Sequence, residues 1–124
     1  EALALCNLSK PTLQDMAHCI LDMGTKSVII KQGENGASFF DNNTYFSIGA
    51  YPVETVMDTT GAGDAFAGGL LSAKMLGQDI EQSMICGATT ASFCIEDISY
   101  TGLSSISDSK YQLRKEWIKS TLTY

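Results

Sequence analysis

The chain has 124 residues, 44% of them hydrophobic, which is enough for one modest core and gives no sign of two domains. Eight Lys and Arg against fourteen Asp and Glu give a net charge of −6. That balance, with basic residues scattered until Lys110, argues against a nucleic-acid partner. No apolar stretch approaches the ~20 residues that cross a bilayer, and no signal peptide is visible. Because the chain starts at Glu1, we expect residues 1–124 to be a single partial domain.

The four cysteines lie inside apolar helical patterns and include no Cys-x-x-Cys pair. The single histidine, His18, has no metal-ligand spacing. We therefore expect buried, reduced core thiols, as in a cytoplasmic protein. The four positions are Cys6, Cys19, Cys86 and Cys94.

The first predicted elements are a helix, a strand and a hairpin. Residues 11–23 repeat apolar side chains on one face, and the following Gly24 suits a left-handed helix stop. Residues 26–31 contain an unbroken β-branched stretch, which is typical of a strand covered on both faces. Residues 37–41 and 44–48 then predict a β-hairpin, with the tight turn at Asn42-Asn43.

Helices dominate the second half of the chain. An extended piece over residues 51–56 precedes a helix from Gly63 to Gly77, whose apolar character almost all round predicts burial. Asp79 and Gln82 resemble a capping box for a helix over residues 80–95. This order of helix, strands and helices fits an α/β layered architecture.

A last amphipathic helix is predicted after a cap at Asp108 or Ser109. Its apolar stripe is expected in the core, and its basic residues from Lys110 to Lys119 on a solvated face. The stripe consists of Leu113, Trp117 and Ile118.

The informative segment runs from Asp58 to Phe66, where a strand is expected to enter a glycine turn that opens a helix. Gly61 and Gly63 let the backbone fold tightly, so that successive N–H groups can converge on an anion at the positive end of the helix. Asp64 can accept a hydrogen bond from a hydroxyl and take its proton where a phosphoryl group arrives. The simpler interpretation is an N-cap and an ordinary turn. Neither the P-loop nor the dinucleotide-binding glycine pattern is present.

Three segments carry a family resemblance. Asp58-Thr59-Thr60-Gly61-Ala62-Gly63-Asp64-Ala65-Phe66, with the small residues after it, is similar to the C-terminal signature of the ribokinase-like, or PfkB, family of carbohydrate and nucleoside kinases. Residues 31–37 resemble the family's glycine turn beside the nucleotide, and residues 86–92 a downstream segment. The resemblance covers nearly the whole chain but only the C-terminal part of a family member. It implies the C-terminal portion of a three-layer α/β/α fold, with a β-hairpin and the helix after the glycine turn.

The resemblance also implies a reaction: transfer of a phosphoryl group from ATP, with Mg²⁺, to a hydroxyl of a sugar or nucleoside. It makes Asp64 the catalytic base and the amides of Gly61, Ala62 and Gly63 the anion hole. Asp58, with Thr60, is implied near a site for a monovalent cation such as K⁺. The family completes that site with a loop corresponding to residues 98–105, where Ser99-Tyr100-Thr101-Gly102 departs from the ribokinase pattern.

Further positions keep two interpretations. Gly33 and Gly36 form either a nucleotide contact, as the resemblance implies, or a simple hairpin connection. Gly87 and Ala88 either line an adenine pocket or meet the needs of close helix packing. Glu1 is either the end of the family's Asn-x-x-Glu motif, which organises magnesium through water, or an ordinary exposed glutamate.

The alternatives to a kinase are a nucleotide-binding module without the rest of the active site and a scaffold that retains an unused turn. The sequence contains no cluster that recognises a particular sugar or nucleoside. The strand after Lys26 is expected to leave an unpaired edge, which favours association with a second chain, such as a homodimer.

Overall fold

The computed structural model of the chain describes residues 1–6, 9–98 and 101–124. Its elements follow the predicted order, preceded by a short helix that the sequence did not suggest. They are α1 (Ala2–Cys6), α2 (Leu13–Asp22), β1 (Ser27–Lys31), β2 (Ala37–Asp41), β3 (Tyr45–Ile48), α3 (Ala62–Met75), α4 (Ile80–Cys94) and α5 (Asp108–Ser120), with 3-10 turns at Gly33–Asn35 and Thr101–Leu103.

The described ranges contain a three-stranded antiparallel sheet in the order β1-β2-β3. The predicted hairpin is confirmed, and its turn is held by Asp41. The Asp41 carboxylate accepts hydrogen bonds from the amides of Asn43 at 2.8 Å and Thr44 at 2.6 Å. A short polar side chain thus fixes the turn through its neighbours' backbone, as Asp commonly does.

Both faces of the sheet are covered, as the β-branched pattern of β1 predicted. On one face Phe39 and Phe46 stack with ring centroids 5.1 Å apart, and Ile29 packs beside them. On the other face Ile30 and Phe40 pack against α2. Alternation along each strand produces this division, because successive side chains point to opposite faces. Helices α3, α4 and α5 supply the rest of the first core through Phe66, Met84, Ile85 and Ile118.

Helix ends lie close to the predicted positions. Thr12 and Asp15 form a reciprocal capping box at the start of α2, and Gly24 follows its end with φ of 102°. Asp79 caps α4 by accepting from the Gln82 amide at 2.8 Å. The cap of α5 is Ser107, one residue before the predicted Asp108 and two before the predicted Ser109, because the Ser107 hydroxyl accepts from the Lys110 amide.

Helices α3 and α4 touch through glycines. A Cβ atom placed on Gly87 would lie 2.7 Å from the carbonyl oxygen of Phe66, and one placed on Gly69 would lie 2.6 Å from Thr90 Oγ1. The two helices therefore approach each other closely along their small residues. Gly87 thus has a packing role.

The expectation that α3 is buried on every side is wrong. Only Phe66 and Ala73 of this helix are buried, whereas Leu71 is 59% and Met75 89% exposed. An apolar sequence reports what a helix can bury, but not whether a partner lies on each face. The outer face of α3 is uncovered by the residues that the structure describes.

Of the three residues in the predicted core stripe of α5, only Ile118 is buried. Leu113 is 64% and Trp117 39% exposed, while Arg114, expected on a solvated face, points inward. The Arg114 guanidinium lies 3.9 Å from the ring centroid of Phe93 and forms an ion pair with Glu96. A guanidinium can stack on an aromatic ring while keeping an ionic partner, so it serves as a packing group here.

The expectation of buried cysteines holds for Cys94, which is 1% exposed. The other three cysteines are half-buried, and within the described residues none of the four forms a disulfide: Cys6, Cys19, Cys86 and Cys94. Within the described ranges, no helix combines the length and apolarity that a membrane span requires.

Candidate active site

The segment before the glycine turn is irregular, so the expected strand leading into the turn is absent from residues 51–56. Instead of joining a sheet, the chain is tied to the end of α4. The amides of Met57 and Asp58 donate to the carbonyl of Ile95 at 2.8 Å and 3.4 Å. This attachment positions the turn that follows beside the C-terminus of α4.

The glycine turn is built by local hydrogen bonds. The Asp58 carboxylate accepts from the Thr60 amide at 2.8 Å, and the Ala62 amide donates to the Thr59 carbonyl at 3.2 Å. Gly61 then adopts φ of 80°, in the left-handed region, and serves as the N-cap of α3. Glycine suits this position because a side chain is disfavoured there.

Two of the three predicted anion-hole amides are available. Among the described residues, the N–H groups of Gly61 and Gly63 have no hydrogen-bond acceptor. The Ala62 amide differs from the prediction, because it is directed to Thr59 within the turn. Free N–H groups at the positive end of a helix are a favourable environment for an anion.

The Asp64 carboxylate lies in the first turn of α3 and is exposed. No hydrogen bond or ion pair joins its side chain to any residue within the described ranges. It is therefore not acting as the cap of the helix, which is Gly61. An exposed carboxylate beside free amides can accept a proton from a ligand hydroxyl.

Cys94, at the end of α4, contacts the glycine turn. The sequence analysis did not predict this role. Its thiol donates to the Thr60 carbonyl at 3.7 Å and lies 3.8 Å from where a Cβ on Gly61 would stand. Burial raises the pKa of the Cys94 thiol, and the negative charges of Asp58 and Asp64 raise it further. The two carboxylates thus favour the protonated, neutral form of this buried thiol.

Lys31 is a second residue that the site prediction omitted. It ends β1, and its Nζ lies 2.6 Å from where a Cβ on Gly63 would stand. The sheet therefore contributes an ammonium group to the N-terminus of α3. The signal in the sequence was the position of Lys31 two residues after Ile29, on the same face of the strand.

The turn between β1 and β2 follows directly after Lys31. A Cβ on Gly36 would overlap the carbonyl oxygen of Ile48 at the end of β3. The close approach of the chain before β2 to β3 therefore requires glycine at position 36. Gly33 differs, because a Cβ there would meet nothing within 4 Å. The space beside Gly33 is open to a ligand, and the nucleotide contact predicted there stays a prediction.

Comparison with known proteins places this geometry in a family. A model of the pfkB family of carbohydrate kinases matches residues 1–106. The chain belongs to this family. A cytidine kinase from Thermococcus kodakarensis is 33% identical over 93 residues, which cover 73% of this chain and 33% of that protein. A nucleoside kinase from Methanocaldococcus jannaschii is 36% identical over 70 residues, 56% of this chain and 23% of that protein.

The fold of this PfkB chain is that of the ribokinase-like kinases. A solved Escherichia coli protein described as ribokinase II, in complex with ATP and Mg²⁺, superimposes with a TM-score of 0.77 at 28% identity. The match covers 97% of this chain and 37% of that one. The predicted ribokinase-like fold is confirmed for a fragment of such a kinase, and the chain spans well under half the length of the relatives it matches.

The remaining predicted positions of the PfkB chain are dispersed. Glu1 is exposed before α1, and Ala88 is partly buried against the core of α3 and α4. Ser99 and Tyr100, in the predicted cation loop, lie outside the described residues. Among the residues that are described, no group of three His, Cys, Asp or Glu side chains could hold a metal ion.

Proposed function

We propose that this PfkB chain is the nucleotide-binding, carboxy-terminal part of an ATP-dependent kinase that phosphorylates a hydroxyl of a small sugar-like substrate. One observation carries the proposal: a single turn presents the free amides of Gly61 and Gly63 beside the unpaired carboxylate of Asp64. Phosphoryl transfer needs charge stabilisation and an oriented hydroxyl, with little further chemistry from the protein.

In the proposed reaction Asp64 accepts the proton of the substrate hydroxyl as its oxygen bonds to the γ-phosphorus of ATP. The bond between that phosphorus and the bridging oxygen breaks, and ADP leaves with the electron pair. The amides of Gly61 and Gly63 donate hydrogen bonds to the phosphoryl oxygens during transfer. Their positions are fixed before the reaction, so little reorganisation is needed.

ATP and Mg²⁺ are the proposed cosubstrate and metal, in keeping with the complex of the related Escherichia coli protein. The open space beside Gly33 suits the nucleotide, with Gly36 shaping the turn. The oxygen-bearing residues proposed for metals are Glu1 for Mg²⁺ through water and Asp58 with Thr60 for a monovalent cation such as K⁺. Hard cations of this kind prefer oxygen ligands.

A nucleoside is the second candidate acceptor. It is favoured by the similarity to the cytidine kinase and to the nucleoside kinase. The proposed chemistry at Asp64 is the same for both classes, because each presents a hydroxyl to be phosphorylated. A panel of sugars and nucleosides, tested with the full-length protein and ATP, separates the two candidates.

The decisive test replaces the proposed base. In the full-length protein, Asp64→Asn should lower kcat by about 100-fold or more, since general base catalysis typically contributes 10²–10⁴-fold. Affinity for ATP should stay within a few-fold, because the amides remain. The measurements are steady-state kinetics and calorimetric titration with ATP.

The matched control is Asp108→Asn, which also changes an exposed aspartate in the first turn of a helix. This control should keep wild-type turnover. Equal turnover of the Asp64 and Asp108 variants would remove Asp64 from the catalytic role.

A further inference from the structure

We propose that Cys6 and Cys19 form an oxidisable dithiol, a pair of thiols that a peroxide converts to a disulfide joining α1 to α2. The inference does not depend on the proposed function. Cys6 is the last residue of α1, Cys19 lies in the second half of α2, and the two helices pack against each other. Both cysteines are half-buried, and within the described residues neither forms a disulfide, so a small oxidant can reach two reduced thiols.

One backbone carbonyl brings the two side chains together. The Cys6 thiol donates a hydrogen bond to the carbonyl oxygen of Met16 at 3.6 Å. Cys19 follows Met16 by three residues, and side chains three apart lie on the same face of a helix. A side chain at this spacing can reach the carbonyl, as Ser92 Oγ does in α4, where it donates to the Thr89 carbonyl at 2.7 Å. The Cys19 side chain therefore lies beside the carbonyl that the Cys6 thiol contacts.

The two thiols also interact directly. A side-chain hydrogen bond with Cys19 raises the pKa of the Cys6 thiol to about 11, and burial and the charge of Cys19 raise it further. Cys6 therefore keeps its proton near neutral pH. A disulfide requires its two Cβ atoms to lie about 4 Å apart, so neighbouring side chains in contact are the ones that can be joined.

Helix α1 has few contacts of its own to keep it in place. It has five residues, none of them buried, and its Leu3 and Leu5 are exposed. A helix this short is not stable by itself, so its position depends on tertiary contacts such as that of the Cys6 thiol. A disulfide between Cys6 and Cys19 holds the end of α1 on α2 in every conformation of the chain.

The oxidation proceeds in two steps, with hydrogen peroxide as the oxidant. The Cys19 sulfur bonds to one peroxide oxygen, the O–O bond breaks, and the other oxygen leaves as water with the Cys19 proton. The Cys6 sulfur then attacks the resulting sulfenic acid, the S–S bond forms, and the sulfenic oxygen leaves as water with the Cys6 proton. The thiols lose two electrons and two protons, which reduce the peroxide to two waters. Cys19 reacts first because Cys6 retains its proton and the thiolate is the nucleophile.

A thiol reductant reverses the reaction. In a reducing compartment the pair therefore exists as the dithiol, and the disulfide forms when peroxide rises.

The first test treats the folded full-length protein with hydrogen peroxide, alkylates the remaining thiols and maps disulfides by mass spectrometry of peptides. We expect the link between Cys6 and Cys19 to be the dominant disulfide, and dithiothreitol should remove it. In urea the link should form about tenfold more slowly, because the helices no longer hold the two thiols together. A folded protein that leaves both cysteines reduced, or oxidises them without joining them to each other, would overturn the proposal.

The second test needs no oxidant and uses phenylarsine oxide, whose single arsenic atom binds two neighbouring thiols. In the wild type this probe should protect Cys6 and Cys19 together from alkylation, as mass spectrometry of each peptide measures. Because chelation by two thiols exceeds binding by one, Cys6→Ser should weaken the protection of Cys19 by about tenfold or more. The matched control is Cys86→Ser, which changes another half-buried cysteine, in α4, and should leave that protection unchanged. Equal protection of Cys19 in both variants would show that the two thiols do not act as a pair.

Hydrogen exchange measures the effect on α1. In the full-length protein the amides of α1 should exchange about tenfold more slowly in the disulfide form than in the dithiol form, since the bond suppresses local opening. Helix α5, which contains no cysteine, provides the internal control and should exchange alike in both forms. Unchanged exchange in α1 would overturn the proposed joining of α1 to α2.

Discussion

At Gly63 a side chain would crowd a neighbour, because Lys31 Nζ lies only 2.6 Å from where a Cβ would stand. Gly63→Val in the full-length protein should therefore displace Lys31 and fill the volume proposed for the phosphoryl group. We expect turnover to fall by about 100-fold or more, comparable to loss of an oxyanion contact. Steady-state kinetics of the variant, with circular dichroism to establish folding, measure the effect.

The control for Gly63 is Gly68→Val in the same helix, where a Cβ meets nothing within 4 Å. This variant should keep normal turnover despite the same substitution. A folded Gly63→Val protein with wild-type kinetics would show that the glycine turn has only a structural purpose.

Cys94 predicts a dependence of stability on alkaline pH. Burial and the nearby carboxylates raise the pKa of this thiol in the folded chain above its ordinary value of 9.0. Above that pH the unfolded chain loses the proton while the folded chain retains it, so stability falls as pH rises toward the folded pKa. Below pH 9.0 the thiol is protonated in both the folded and the unfolded chain, so its ionisation does not reduce stability there.

The measurement is urea unfolding of the full-length wild type and of Cys94→Ala across this pH range. The wild type should lose stability more steeply than the variant, since the variant has no thiol to ionise. Parallel pH profiles for the two proteins would show that Cys94 ionises alike in the folded and unfolded chains.

At the scale of elements, the crossing of α3 and α4 makes glycine necessary at one position and dispensable at another. Gly87→Ala should destabilise the full-length protein by about 1–3 kcal/mol, because the new Cβ meets the backbone carbonyl of Phe66, which cannot move cheaply. Gly68→Ala should stabilise it by about 0.5–1 kcal/mol, since alanine is the better helix former and the site is open.

Denaturant unfolding of both alanine variants measures the difference. If the same Gly→Ala change lowers the free energy of unfolding at Gly87 and raises it at Gly68, close packing is distinguished from helix propensity. If the two variants shift stability in the same direction, the approach of the two helices at Gly87 is looser than described.

Local features of the elements could be predicted from the sequence. The hairpin, the start of α4 at Asp79 and the stop of α2 before Gly24 depend on residues adjacent in the chain. The orientation of α5 could not be predicted, because Arg114 is anchored by Phe93 of α4 and by Glu96 in the turn after α4. Tertiary contacts of this kind override an apolar stripe read from one segment.

The same division applies to the site. Gly61, Gly63 and Asp64 could be predicted as site residues because one continuous segment contains them. Lys31 and Cys94 were not, because a strand and a helix far away in sequence bring them to the turn. The irregular path of residues 51–56 was also hidden, since its attachment to Ile95 is made by backbone groups.

At the scale of the whole molecule, apolar surface remains uncovered in two places. The outer face of α3 exposes Leu71, Met75 and Leu76, and within the described residues β1 pairs only with β2. Exposed apolar patches and open strand edges favour association with further polypeptide. A homodimer through these surfaces stays a prediction, and light scattering of the purified chain measures it.

The 124 residues in isolation should show little or no kinase activity, even though they contain the glycine turn, Asp64 and Lys31. The chain corresponds to 33% of the cytidine kinase and 37% of the solved Escherichia coli relative. Phosphoryl transfer depends on positioning both substrates in a site closed to water, and a chain of this share of its relatives' length is not expected to complete such a site. We expect ATP to shift the amide resonances of Gly61 and Gly63 without measurable production of ADP. A coupled ADP assay, run beside light scattering, checks this. Robust turnover by a monomer would place the acceptor site within these 124 residues.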